Sequence, residues 1–288
     1  MSTLVPPLFA ALVDDASLLP PSPTNLPEAV AKHGEHRDAW FAGLLGPLLV
    51  PASLVGIDPS AGSRAGSGTA PPLALVSDVA VSAVPVAVDK LRAAGAVVQH
   101  VEAAVARRGE DPQPGLVGLR GLAGGDKDLM VYAEIPLSWG LLAALDTVAE
   151  ARADGLRMAP KFRVGGLAAE LFPTPVELAA VVCACRDREL PFRLAAGLRH
   201  AIRHTDPETG FTHHGFLNVL AAAAVAADGG EVADVAEVLA ATHPLPLVEP
   251  TRGRRDNERP LFAGFGAANV VEPLTELVRL GLINGGYM

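Results

Sequence analysis

The sequence predicts an α/β fold, a single, irregular (β/α)8 TIM-like barrel over residues 1–288, with an open doubly wound parallel sheet as the alternative. Three observations carry that reading. Short apolar runs alternate with amphipathic stretches along the whole chain, eight runs qualify as strands, and most are followed by a helix. Strand–helix alternation implies parallel pairing with right-handed crossovers. Finally, no G-x-G-x-x-G follows the first strand, which removes the usual dinucleotide argument for the open sheet.

In order, Leu8 to Val13 reads as a strand closed by Asp14-Asp15, and Pro20, Pro21 and Pro23 then break the chain. Asn25 or Pro27 opens a helix through about Gly43. Leu48 to Ile57 is a second strand, and Asp58 to Ala70 (DPSAGSRAGSGTA) a flexible Gly/Ser-rich internal loop. Leu73 to Asp78 is a strand, Val84 to Ala94 a helix stopped by Gly95, and Val97 to Glu102 a strand. A short helix and a loop, Gly121 to Asp126, lead to strand Leu129 to Ile135. Helix Ser138 to Ala153 and strand Arg157 to Arg163 follow. Helix Thr174 to Arg188 has Glu177 at the capping-box position, which makes Thr174 its N-cap. The remaining elements are strand Phe192 to Ala196, helices Thr212 to Ala227 and Glu231 to Ala240, strand Leu261 to Phe265 and helix Glu272 to Leu280.

Composition bounds the function. Half the residues are hydrophobic and 19% charged, yet no run of about 18 uncharged apolar residues exists to span a bilayer. A formal charge of −9 and a pI near 5.4 argue against nucleic acid or an anionic membrane as partner. Met1 to Val13 lacks a basic n-region, so no signal peptide is expected. Cys183 and Cys185, two apart on a helix, point to different sides and suit neither a disulfide nor a metal knuckle. The expectation is a cytoplasmic protein with no cofactor, acting on a small anionic substrate, and compatible with a homo-oligomer.

Strand phase then locates ionisable groups. A barrel strand flanked by helices turns its apolar face outward, which leaves Tyr132 and Glu134, Lys161 and Arg163, and Arg193 facing inward. His100 and Glu102 share one strand face, and Asp78 ends its strand. Lys161 stands out because the chain has four lysines against nineteen arginines. An amine near Arg163 and Arg193 is expected to have a depressed pKa, the condition for a Schiff-base nucleophile or general base. Lys161, Glu134 and Asp78 are therefore the candidate catalytic residues. Gly165-Gly166, Gly197 and the pair Gly264/Gly266 supply backbone N–H groups for an anion, together with Arg163 and Arg193. No metal ligand set is assigned on this reading.

The segment Lys161 to Arg199, with K-F-R-V-G-G-L, F-P-T-P-V-E-L-A-A and F-R-L-A-A-G-L-R-H, resembles the later barrel strands of the deoxyribose-phosphate aldolase family. That resemblance implies a class I aldolase-type lyase with Lys161 as the Schiff-base amine and Gly165-Gly166 as its turn. Arg193 stands where the family has a second lysine, and Arg163 where it has a small residue. The segments L-V-D-D-A, A-G-L-R-H and H-G-F-L-N-V-L resemble those of an uncharacterised actinobacterial protein family.

Four of the eight histidines lie between positions 200 and 214. His200/His204 and His214/Asn218 are each spaced i, i+4, which places each pair on one face if helical. His200, His214 and Asn218 are candidate substrate-binding residues. An alternative is a metal-dependent barrel enzyme using His200, His204 and His214 with Asp78 or Glu134. A second alternative is a non-catalytic degenerate barrel or binding protein. Asp14-Asp15 ends the first strand and either shares the rim or caps the following turn.

Overall fold

The computed structural model describes residues 5–21, 23–57 and 72–285. Its strands and helices follow in the order β1 (Val13–Asp15), α1 (Leu26–Asp38), β2 (Leu45–Pro51), α2 (Ala52–Ile57), β3 (Pro72–Ser77), α3 (Val84–Ala93) and β4 (Val97–Ala104). After them come α4 (Gln113–Gly125), β5 (Met130–Glu134), α5 (Leu141–Ala153), β6 (Met158–Arg163), α6 (Pro175–Arg186), β7 (Phe192–Ala195), β8 (His204–Thr205) and β9 (Thr212–His213). The chain ends in α7 (Phe216–Ala227), α8 (Val232–Ala240), α9 (Leu245–Gly253), β10 (Phe262–Ala267) and α10 (Val271–Arg279). Eight strands close into a barrel in the order β1-β10-β7-β6-β5-β4-β3-β2, while β8 and β9 form a separate antiparallel hairpin. The α/β barrel expected from the alternation is thus the fold, and the open sheet is not.

Two compact units share the chain: residues up to Val13 with Trp40–Leu45 and everything from Phe162 onward, and Asp14–Ala39 with Gly46–Lys161. The first is built around phenylalanines, because its strands present rings to one another. Phe192 lies 5.6 Å from Phe262, and Phe216 stacks on Phe265 at 5.3 Å, all four buried. Burial of such a side chain contributes about 1.5–3 kcal/mol each. The second unit is aliphatic, with Leu73, Ala74, Leu75, Val101, Val131 and Ala133 fully buried along β3, β4 and β5. Its strands are parallel, and β4, β5 and β6 pair without a register shift, His100 facing Met130 and Glu134 facing Lys161.

Local chemistry explains the element boundaries. Thr174 caps α6 as expected: its Oγ1 accepts from Glu177 N–H at 3.3 Å, and its own N–H donates to Glu177 Oε2 at 2.7 Å. The apolar run Leu8 to Val13 is no strand; Pro7–Phe9 is a 3-10 turn, and β1 begins only at Val13. The proposed strand Leu48 to Ile57 divides after Pro51, where α2 takes over. Gly121 to Gly125 continue α4 rather than forming a loop. Asp58 to Ala70 lies outside the described residues. Among those described, no helix is long and apolar enough to cross a membrane. Cys183 and Cys185 are both buried on α6 as free thiols.

Glycine matters most where two barrel turns meet. A Cβ on Gly165, just after β6, would stand 2.8 Å from Gly197 Cα and 2.9 Å from its nitrogen. Gly197 itself adopts φ +74°, a conformation that glycine takes without strain. Since both obstacles are backbone, neither can rotate away. Gly165→Ala is expected to destabilise the protein by about 1–3 kcal/mol, measured by chemical denaturation. A loss within experimental error would mean that the two turns separate freely.

Candidate functional site

Strand register assembles the charged groups of the second unit. In parallel strands, residues two apart share a face and advance about 6–7 Å along it. Ala104, Glu134 and Lys161 form one row across β4, β5 and β6, with Glu102, Tyr132 and Ala159 in the row before it. His100 lies a further two residues toward the start of β4. The long lysine stem lets its ammonium join two rows: Lys161 Nζ is 2.8 Å from Glu102 Oε2 and 2.9 Å from Glu134 Oε2. Glu102 and Lys161 are buried, while the Glu134 side chain keeps 18% of its exposure, so the column opens toward solvent at Glu134.

Burial opposes a charged amine, but the two carboxylates outweigh it, and the Lys161 pKa stands above the ordinary lysine value. This corrects the expected depression. The groups against Nζ are Glu102 and Glu134, whereas Arg163 is exposed at the end of its strand.

Below Glu102 the column continues into Asp14 and His100, both buried. His100 Nε2 is 3.4 Å from Glu102 Oε1 and 3.9 Å from Asp14 Oδ2. These contacts are not aligned as hydrogen bonds, and Nε2 has no hydrogen-bond partner among the described residues. Tyr132 packs edge-on against the imidazole, centroids 5.0 Å apart at 84°, and holds the ring plane. Gly46 leaves room for Asp14: a Cβ there would overlap the aspartate Oδ1. Among the described residues, Asp14, His100 and Glu102 are the group whose ligand-capable atoms converge, all within 4.8 Å of one another.

The neighbouring Asp15 turns the opposite way. Its Oδ2 pairs with His33 Nδ1 at 3.2 Å, and its Oδ1 accepts from Ser17 N–H at 3.0 Å. Burial raises its pKa, but the bonds from His33 and Ser17 bring it below the usual value. Asp15 thus caps the turn after β1, and only Asp14 enters the column.

Other sequence candidates lie elsewhere. Asp78 is exposed and accepts from Ser53, N–H at 2.9 Å and Oγ–H at 2.5 Å, so it forms a structural corner rather than part of the column. Arg193 is buried, and a Cβ on Gly264 would come 3.3 Å from its Nη2. Gly264 and Gly266 lie inside β10, not after it; Gly264 takes φ +144° at a bulge, close to Leu12 O. Gly166 abuts Leu171, so its turn packs against side chain.

The 200–214 histidines do not form the ligand set that their spacing suggests, because neither pair is helical as a pair. His200 Nδ1 bonds Glu276 at 2.7 Å, and His204 Nδ1 faces Ile202 O at 3.2 Å. His204 stacks on His213 across the β8–β9 hairpin, centroids 5.2 Å apart. His200, His204, Glu276 and Arg279 line a shallow surface cleft. His214 is fully buried; its Nε2–H donates to Pro173 O at 2.8 Å, and Nδ1 accepts from Arg203 at 3.3 Å. That pair of bonds requires the neutral ring, and burial pushes its pKa down to about 4. Asn218, also fully buried, accepts from Arg203 N–H at 2.8 Å and donates to Val238 O and Ala241 O. His214 and Asn218 therefore tie loop to helix and have little capacity left for substrate.

The molecule is an α/β barrel with a buried Asp/His/Glu group and a lysine against it, an arrangement compatible with an enzyme. No protein-family model matches the chain, and no curated protein matches it.

Proposed function

We propose that the chain is a barrel enzyme acting on a small anionic carbonyl compound, with the Lys161 ammonium polarising the carbonyl oxygen and Glu134 carrying the proton. One observation supports this most: an ammonium held 2.9 Å from a carboxylate that still reaches solvent. A positioned cation stabilises the negative charge that develops on oxygen when a neighbouring carbon loses a proton or a carbon–carbon bond breaks. A carboxylate beside it accepts that proton without crossing open water. Glu134 ends β5 and Lys161 lies two residues before the end of β6, and the C-terminal ends of barrel strands are where such enzymes build their sites.

The likeness of residues 161–199 to deoxyribose-phosphate aldolase favours a lyase, with the lysine as imine-forming amine. The two carboxylates on Nζ favour the ammonium, so the electrostatic role is the preferred one. Hydrogen–deuterium exchange at carbon, followed by proton NMR in D2O, tests this with a panel of small phosphorylated and carboxylated aldehydes and ketones. The expected result is exchange adjacent to the carbonyl of at least one compound, reduced at least about 100-fold in Glu134→Gln. Absence of exchange across the panel, or unchanged exchange in that variant, would sink the proposal. Borohydride treatment of the same mixtures separates the two lysine roles, since only an imine leaves a mass adduct on Lys161.

A further inference from the structure

The geometry points to Asp14, His100 and Glu102 as a binding site for one divalent transition-metal cation, of the zinc or manganese class. The inference is independent of the reaction proposed above and stands on the arrangement of the ligand atoms.

The first support is spacing. Atoms bound at about 2.1 Å to one ion stand about 3 to 3.5 Å apart in octahedral to tetrahedral arrangements. His100 Nε2 lies 3.4 Å from Glu102 Oε1 and 3.9 Å from Asp14 Oδ2, so small side-chain adjustments would let the three surround an ion. The second is the state of the imidazole. Nε2 is buried, directed at two carboxylates, and without a hydrogen-bond partner among the described residues. A cation would occupy the lone pair that protein groups leave unused.

The third support is what surrounds the ligands. Lys161 binds Glu102 through Oε2, leaving Oε1 on the imidazole side, so the ammonium orients this ligand without having to leave. An outer partner of this kind is usual for metal-bound carboxylates. Gly46 provides the room in which the Asp14 carboxylate lies. The donor set decides the class of ion. One imidazole with two carboxylates suits zinc or manganese better than calcium or magnesium, which favour all-oxygen sites, and offers no thiolate for copper(I).

The test uses the full chain purified without a histidine tag, stripped with chelator, and titrated calorimetrically with zinc chloride and with manganese chloride. A triple variant, His200→Ala with His204→Ala and His213→Ala, controls for the surface histidines. One equivalent should bind with high affinity in both wild type and triple variant, and at least about 100-fold more weakly in His100→Ala. Lack of saturable binding by the wild type at millimolar cation, equal affinity in His100→Ala, or loss in the triple variant alone would overturn the assignment. Should His100→Ala fail to fold, X-ray absorption at the zinc edge of the wild type decides. One imidazole in the shell supports the site; two or more place the ion on the surface cluster and refute it.

Discussion

Lys161→Met lowers stability by about 3–5 kcal/mol, the expected cost of leaving a buried charge without its partner. The loss is to be read from urea unfolding at neutral pH in the presence of chelator. The size follows from Glu102, which is 2% exposed and would keep its carboxylate while losing the ammonium at 2.8 Å. The effect is therefore not the worth of the ion pair, and the double variant Lys161→Met with Glu102→Gln should recover most of it. The lysine pKa is raised on folding, so its stabilising contribution is complete below the unfolded value near 10.5 and disappears only as pH climbs through the higher folded value. The gap between wild type and Lys161→Met should accordingly stay constant from pH 7 to about 10 and narrow above it. A single-variant loss below about 1 kcal/mol would show that water reaches Glu102 and that the column is wet.

Acidification acts through a different residue. Between pH 6.5 and about 4, His214 alone should remove about 3 kcal/mol of stability. Its folded pKa lies below the unfolded one, so across that interval the unfolded chain binds more protons, and stability falls with pH. The physical cause is the neutral ring required by two bonds, Nε2–H to Pro173 O and Nδ1 from Arg203. A protonated Nδ1 would face the Arg203 guanidinium. Carboxylates also titrate here, so the informative quantity is the difference between wild type and His214→Gln. Parallel pH profiles for the two proteins would exclude His214 as the acid-sensitive group.

Much of this architecture is readable in the residue order, because alternating strands and helices leave a periodic trace that needs no knowledge of contacts. All eight barrel strands fall on or beside expected apolar runs. The errors have specific causes. Leu8, Phe9 and Leu12 are buried as a strand would bury them, and short apolar runs do not distinguish a tight turn from a strand. Helix α9 leaves no clear trace in the sequence because Pro246 and Pro250 mask it; the first sits harmlessly in its opening turn.

The column was legible only in pieces. Strand phase placed His100 with Glu102, Glu134 with Tyr132, and Lys161 on an inner face, and each is buried or half-buried as that phase requires. Strand phase alone could not show that positions 14, 100, 102, 134 and 161 meet, since nothing local links them. The histidines at 200–214 are close in sequence, but closeness in sequence is not convergence in space. The useful signal was the plainer one, His-x-Glu on one strand near the barrel interior, joined by the aspartate pair of β1.

That aspartate pair also bears on how β1 finds its place. Strand β1 is three residues long, and its two acidic residues are chemically identical. A one-residue slip would turn Asp15 inward in place of Asp14 and still present a carboxylate to the interior, so the inner face cannot detect the error. The outer face can, because the slipped chain would offer Ala16 to His33 and lose the bond from Ser17 N–H. His33, on a helix outside the barrel, is thereby the reading head that tells two equal aspartates apart.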